Sequence, residues 1–308
     1  MAKSTKRFVL CWALGFSLLM GGYAADKQIG DPSKPTGLKP IDAAQLKYIK
    51  ENWPRINNIH LNKLGLERIN EGRAKRGKPL LDPKTARSTG HEMESAVVKS
   101  GISAQAVILD TEILADLPIN VDNSTLPYFP PIRDQGLYNS CAPFATTYTQ
   151  LSHMSALARD SHALVEYSPK WTYNMLNGGA DGGTYILDNY ALLENHGAAT
   201  WTEFPYDADI LSWSLNSAVW RNAISNRTRP TQYLDAVNTE NGMAQIKELL
   251  NNGYVVVFGT YIMSWQGQII MDDEETAADD TKVGKGVGYF VNGQQALHEL
   301  TNVGYNEA

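Results

Sequence analysis

The sequence predicts an α+β protein in which helices come first and strands later. Apolar residues recur every three or four positions between Asp42 and Glu71, and again from Cys141 to Ala158, which is the period of one helical face. Two further helical patterns, Tyr185 to Asn195 and Met243 to Asn251, stop at Gly197 and Gly253. Directly after the last, Tyr254-Val255-Val256-Val257-Phe258-Gly259 has the length and branching of a buried strand.

The chain opens with Lys3, Lys6 and Arg7, followed by an apolar stretch from Phe8 to Met20. Gly22-Tyr23-Ala24 then sets small residues two apart. This is the layout of a signal peptide over residues 1–25, with cleavage expected after Ala24 or Ala25. The stretch falls short of the roughly 20 apolar residues of a membrane span, and a retained anchor is the alternative. No later segment is long and apolar enough to cross a bilayer. The mature chain is expected to be secreted or periplasmic, off the membrane and monomeric.

Residues 26 to about 38 read as a flexible lead-in. In the region that follows, Leu46, Ile49, Trp53 and Ile56 share a helical face, and Pro54 is expected to break that helix. Arg73 to Ser88 is basic and carries Pro79 and Pro83. Ala104 to Leu117 fits strand or helix. A boundary is expected near Asn123, which makes 26–122 a mostly helical N-terminal region ahead of a domain over 123–308. Past the boundary, Ser168-Pro169-Lys170-Trp171 has the form of an N-cap with proline at the first helical position.

Net charge is −6, which gives no support to a nucleic-acid partner, for which a basic face is needed. The carboxylates of Asp272 to Glu275 and of Asp279 and Asp280 match no calcium loop and read as a solvated acidic loop. The histidines are few and widely spaced, so no metal site and no cofactor are expected.

The chemistry centres on Cys141. The other cysteine, Cys11, lies in the leader, so the mature chain keeps one thiol with no disulfide partner. An unpaired cysteine in an exported protein is an accident or a reactive group. A thiol attacks as its thiolate and needs help to ionise. Cys141 stands where the loop Asp134 to Ser140 enters a helix, and a helix N-terminus supplies partial positive charge and free N–H groups. Pro143 falls in the first turn, where its missing N–H costs little. Asn139 tolerates the left-handed backbone such a turn can require. Gln135, six residues before the cysteine, can aim its amide at an oxyanion beside the Cys141 N–H. His153 lies on the same helix, twelve residues on and roughly 18 Å away, which excludes it as the base.

These residues carry a resemblance. Gln135-Gly136 followed by Ser140-Cys141 and Phe144-Ala145 resembles the active-site segment of the papain-like cysteine peptidases. Further motifs follow in that family's order: Tyr167-Ser168-Pro169-Lys170-Trp171, Asp181-Gly182-Gly183, Glu194-Asn195-His196-Gly197 with Phe204-Pro205-Tyr206-Asp207, and His298 leading to Val303-Gly304-Tyr305. The layout is similar to bacterial secreted members with a long N-terminal region. The resemblance implies a two-lobe fold, helical and β-rich, that hydrolyses peptide bonds through a Cys141 thioester. His298 is then the general acid and base. Gln135 and the Cys141 N–H bind the oxyanion. Gly182 and Gly183 let substrate backbone approach as an added strand. Residues 26–122 become an inhibitory propeptide or a separate adaptor domain. The partner is a protein or peptide substrate.

The chain also departs from the pattern. Ala142 stands where the family has an aromatic, and Tyr138 where it has a cysteine. Leu297 and Glu299 flank His298 in place of small residues. The family's orienting asparagine, in Asn-Ser-Trp beyond the histidine, has no counterpart before Ala308, so a C-terminally truncated form is expected. These departures leave two alternatives open: a catalytically inactive peptidase-like binding protein, and a transglutaminase-like acyl transferase.

Overall fold

The structure is a computed structural model of the chain. It describes residues 8–11, 27–28, 36–57, 59–82, 111–159, 162–207, 209, 211–262, 265–269, 285–290 and 296–307. The acidic run Asp272 to Asp280 and the leader's cleavage site lie outside the described residues.

The chain begins with short strands β1 (Phe8–Cys11) and β2 (Lys27–Gln28), then helices α1 (Ala43–Asn52), α2 (Lys63–Lys75) and α3 (Thr111–Asp116), and strand β3 (Asn120–Asp122). The helix that starts at Cys141 runs in three pieces: α4 (Cys141–Pro143), a wider π-helical stretch Phe144–Leu151, and α5 (Ser152–Leu157). Helices α6 (Pro169–Leu176), α7 (Ile186–His196), α8 (Ser217–Ser225) and α9 (Glu240–Asn251) follow. Strands β4 (Val256–Tyr261), β5 (Trp265–Ile269), β6 (Lys285–Phe290), β7 (Leu297–Asn302) and β8 (Gly304–Asn306) close the chain. The α+β order is the predicted one.

Local chemistry explains the helix limits. Asp42 and Gln45 form a reciprocal capping box on α1, at 2.8 and 3.0 Å, and the helix ends two residues before Pro54. Ser168 caps α6 with Pro169 in its first turn. Helix α8 had no sequence expectation; its Asn216 cap and two buried residues, Val219 and Ala223, are too slight a pattern to read.

The helical half packs on Tyr167, Trp171, Leu192, Leu193, Val219 and Ala223. Burial of each large side chain contributes about 1.5–3 kcal/mol. The strands form small antiparallel sheets: β4 with β7, β3 with β8, and β1-β6-β5-β2. Strand β4 is half-buried and starts at Val256, later than the buried strand expected from Tyr254. Phe8–Cys11, inside the predicted leader, pairs with β6.

The two sides of the expected boundary at Asn123 share a core. Val121 packs with Leu250 and Tyr305. The Asn123 side chain donates to the carbonyls of Leu250 and Tyr254 and accepts from Arg68. Arg68 also donates to the Leu250 and Asn251 carbonyls at the end of α9. The α2 region is therefore bonded onto residues that follow the expected boundary. Among the described residues no helix is long and apolar enough to cross a membrane.

Candidate active site

The loop before Cys141 is held from both ends. Gly136 takes the left-handed conformation, with φ +68°, and its N–H donates to Asp134. Asn139, expected there from its tolerance, keeps ordinary φ, because glycine takes that conformation without steric cost. The Tyr206 hydroxyl donates to the Gln135 carbonyl at 2.8 Å and lies 2.7 Å from Ser140 Oγ. On the other side, the Asn139 N–H donates to Asp181 Oδ1 and its amide to the Asp181 carbonyl. The helix opens with the Phe144 N–H donating to the Ser140 carbonyl. Cys141 thus sits at a helix N-terminus as expected, 2 % exposed.

What covers it is the stretch read as the end of a flexible lead-in. The Gly37 N–H donates to Cys141 Sγ at 3.2 Å. Leu38 forms a parallel bridge with Thr184. The Thr184 N–H donates to the Gly37 carbonyl and the Lys39 N–H to the Thr184 carbonyl, at 2.8 and 3.0 Å. Two glycines make this approach possible. A Cβ on Gly183, where φ is +73°, would lie 2.2 Å from Gly37 O. A Cβ on Gly37 would lie 1.7 Å from Asn139 O. The Leu38 side chain packs with Cys141, Ala142, Ile186 and Leu297.

The Gln135 amide donates to the Tyr138 carbonyl at 2.8 Å and so stabilises its own loop. His298 lies on β7, opposite Thr260 of β4. Strand alternation sets Leu297 and Glu299 on one face and His298 on the other. Leu297 belongs to the cluster around Cys141. Nδ1 of His298 is buried without a hydrogen-bond partner.

The electrostatics match this geometry. Burial pushes the Cys141 thiol up to about 12; hydrogen bonding from the Glu299 and Gly37 backbones offsets part of that, and the Glu299 charge adds to it. Burial takes His298 down to about 4. A thiolate–imidazolium pair requires both shifts in the opposite sense. Near neutral pH both groups are neutral here. Glu299 is fully buried, its carboxyl held well above the usual range by desolvation, with neither oxygen hydrogen-bonded.

His153 is a core residue, its Nε2 2.7 Å from the Gly253 carbonyl. Among the described residues no cluster of His, Cys, Asp and Glu could hold a metal ion. Sequence reasoning missed Gly37 and Leu38, which carry no local signal. It quoted Tyr206 within a motif without seeing that its hydroxyl fastens the loop.

No family model matches the sequence, and no curated protein matches it. Solved structures with similar layouts are cysteine proteases. Xylellain from Xylella fastidiosa is 18 % identical with a TM-score of 0.44, over 65 % of this chain and 75 % of its own. The proform of Amb a 11, a ragweed pollen allergen, is 14 % identical with a TM-score of 0.40, over 81 % and 84 %. Procathepsin B S9 from Trypanosoma congolense is 16 % identical with the same score, over 81 % and 84 %. Likeness at this level carries no functional argument, and the functional reading rests on the residues.

Proposed function

We propose that the chain is an exported papain-like cysteine peptidase held in a latent form, an endopeptidase once released. Cys141 is the nucleophile and His298 the acid–base partner, with Gln135 and the Cys141 N–H as oxyanion donors. Residues 36–40 are the inhibitory part of a propeptide. One observation carries this reading: Gly37, Leu38 and Lys39 lie as an extended peptide, bonded backbone to backbone with Thr184, while the Gly37 N–H rests on Cys141 Sγ. A peptide substrate that adds a strand at the Gly182-Gly183 turn would use the same contacts.

Latency accounts for the ionisation states. With the thiol at about 12 and the imidazole at about 4, attack on a carbonyl is suppressed while the segment stays. Its departure admits water and lowers the thiol, and pairing with His298 further requires β7 to turn, because the imidazole lies on the strand face opposite Leu297. No cofactor enters the mechanism, and the thioester is then hydrolysed by water that His298 deprotonates.

The non-catalytic binding reading draws on one observation, a buried carboxyl at Glu299 beside the nucleophile. Peptide cleavage separates the two. The full chain is incubated with a denatured protein substrate, before and after limited proteolysis, and the fragments are mapped by mass spectrometry. Cleavage that appears after proteolysis, and is lost in Cys141→Ala and His298→Ala, is the expected result. Peptide binding without cleavage in the trimmed wild type would overturn the peptidase reading.

A further inference from the structure

The pocket that holds Leu38 has an unexplained member. Its walls are Ala142 and Cys141 on the nucleophile helix, Ile186 at the start of α7, and Leu297 on β7. Gly259 on β4 completes it: a Cβ there would lie 2.8 Å from Leu38 Cδ2. Directly across the β4–β7 ladder from Gly259 is Glu299. It shares the strand face of Leu297, and its electrostatic influence reaches both Cys141 and Tyr190.

Among the described residues nothing satisfies this carboxyl. Glu299 is 2 % exposed, and neither oxygen has a hydrogen-bond partner. The Tyr190 hydroxyl donates elsewhere, to Gln150 at 2.6 Å. The contrast within the same chain is Asp116, whose fully buried side chain meets Arg73, Arg76 and Lys78. A structural carboxylate is paired in that way, because an unpaired buried charge is costly. Beside Glu299 stands a leucine where Asp116 has its cations.

We propose that Glu299 sets the specificity of the Leu38 pocket and that, once Leu38 has left, it receives an arginine or lysine side chain of the substrate. The inference rests on the peptidase reading above. The fit is chemical. Ile186, Leu297 and Ala142 offer apolar walls to the methylenes of a long side chain. Glu299 offers two acceptor oxygens to the guanidinium or ammonium group. Leucine satisfies the walls alone and leaves the carboxyl unpaired, as suits an occupant that must later be released.

Two measurements test it, one in the full chain and one after its release by proteolysis. The first is a cycle of thermal midpoints over wild type, Leu38→Arg, Glu299→Gln and the double variant, with Leu38→Met as the uncharged control of similar length. Leu38→Arg is expected to be tolerated while Glu299 is present, and to lower the midpoint by several degrees in the Glu299→Gln background. Equal effects of Leu38→Arg in both backgrounds would overturn the proposal, whether or not the protein is a peptidase. The second follows cleavage by the proteolytically released enzyme of peptides that differ only at the residue entering this pocket. Wild type is expected to favour Arg and Lys over Leu in kcat/KM, and Glu299→Gln to reduce that ratio about tenfold. An unchanged ratio overturns the proposal and leaves the peptidase reading standing. Absence of all cleavage, with the coupling intact, overturns the peptidase reading and leaves the cation pocket standing.

Discussion

The backbone N–H of Gly37 donates to Sγ of Cys141 at 3.2 Å, across 104 positions of sequence. The contact places an extended piece of the chain's own backbone where a reactive thiol would meet a peptide. Glycine is required for it, because a Cβ on residue 37 would lie 1.7 Å from Asn139 O.

Gly37→Ala is therefore expected to lift the segment while the rest of the fold stays. The Thr184 N–H, which donates to the Gly37 carbonyl, should exchange with deuterium at least about tenfold faster, a shift of roughly 1.4 kcal/mol in local opening. Protection at Trp171, whose N–H donates to Ser168 in the helical core, should not change. Unchanged exchange at Thr184 would mean that the segment is not held as described.

His298 is expected to stay neutral to unusually low pH in the intact chain. Its folded value is lowered to about 4 by burial, against about 6.5 unfolded. The stability it contributes is fully present above about pH 6.5 and is lost as pH falls toward 4. An NMR titration of the imidazole should find it unprotonated at pH 5.5. An ordinary midpoint near 6.5 would contradict the buried position.

Glu299 shifts the other way. Its folded carboxyl is held well above the usual range by desolvation. The wild type therefore loses stability as pH rises past the unfolded value of about 4.3. Glu299→Gln removes the titration, so it should stabilise the intact chain at pH 7–8, by on the order of 1–3 kcal/mol. The gain should shrink toward pH 4. Denaturant melts at the two pH values read the difference directly, and a destabilised variant at pH 7 would refute it.

Tyr206→Phe keeps the ring against Phe144 and Trp201 but removes the hydroxyl that joins the Gln135 carbonyl to Ser140. Ser140 is fully buried, so its hydroxyl would be left without that partner. A loss of about 1–3 kcal/mol in urea melts is expected. In the released enzyme kcat should fall more than KM rises, because the proposed reading places the oxyanion donors on this loop.

The sequence made the Cys141 helix legible because its signals are local: the Ser140-Cys141 entry, Pro143 in the first turn and apolar spacing through Tyr148 and Leu151. The caps at Asp42 and Ser168 and the stops at Gly197 and Gly253 are local in the same way. The cover over Cys141 was not legible. Gly37, Leu38 and Lys39 bind through backbone groups to Thr184, far along the chain, and backbone bonds leave little mark on side-chain pattern. Glu299 was visible as a departure beside His298. Its burial and its register opposite Gly259 follow only from the β4–β7 pairing.

The central claim is that Cys141 is a peptidase thiol kept neutral by residues 36–40. The pH dependence of its alkylation by iodoacetamide tests this most directly, in the intact chain and after limited proteolysis, with Cys141→Ala as the blank. The intact chain should stay unreactive through about pH 8.5, the free-thiol value, because burial holds the thiol at about 12. The trimmed chain should react near about pH 5, as a thiolate beside an imidazolium does. A trimmed chain that still reacts only above about pH 8.5 would contradict the account.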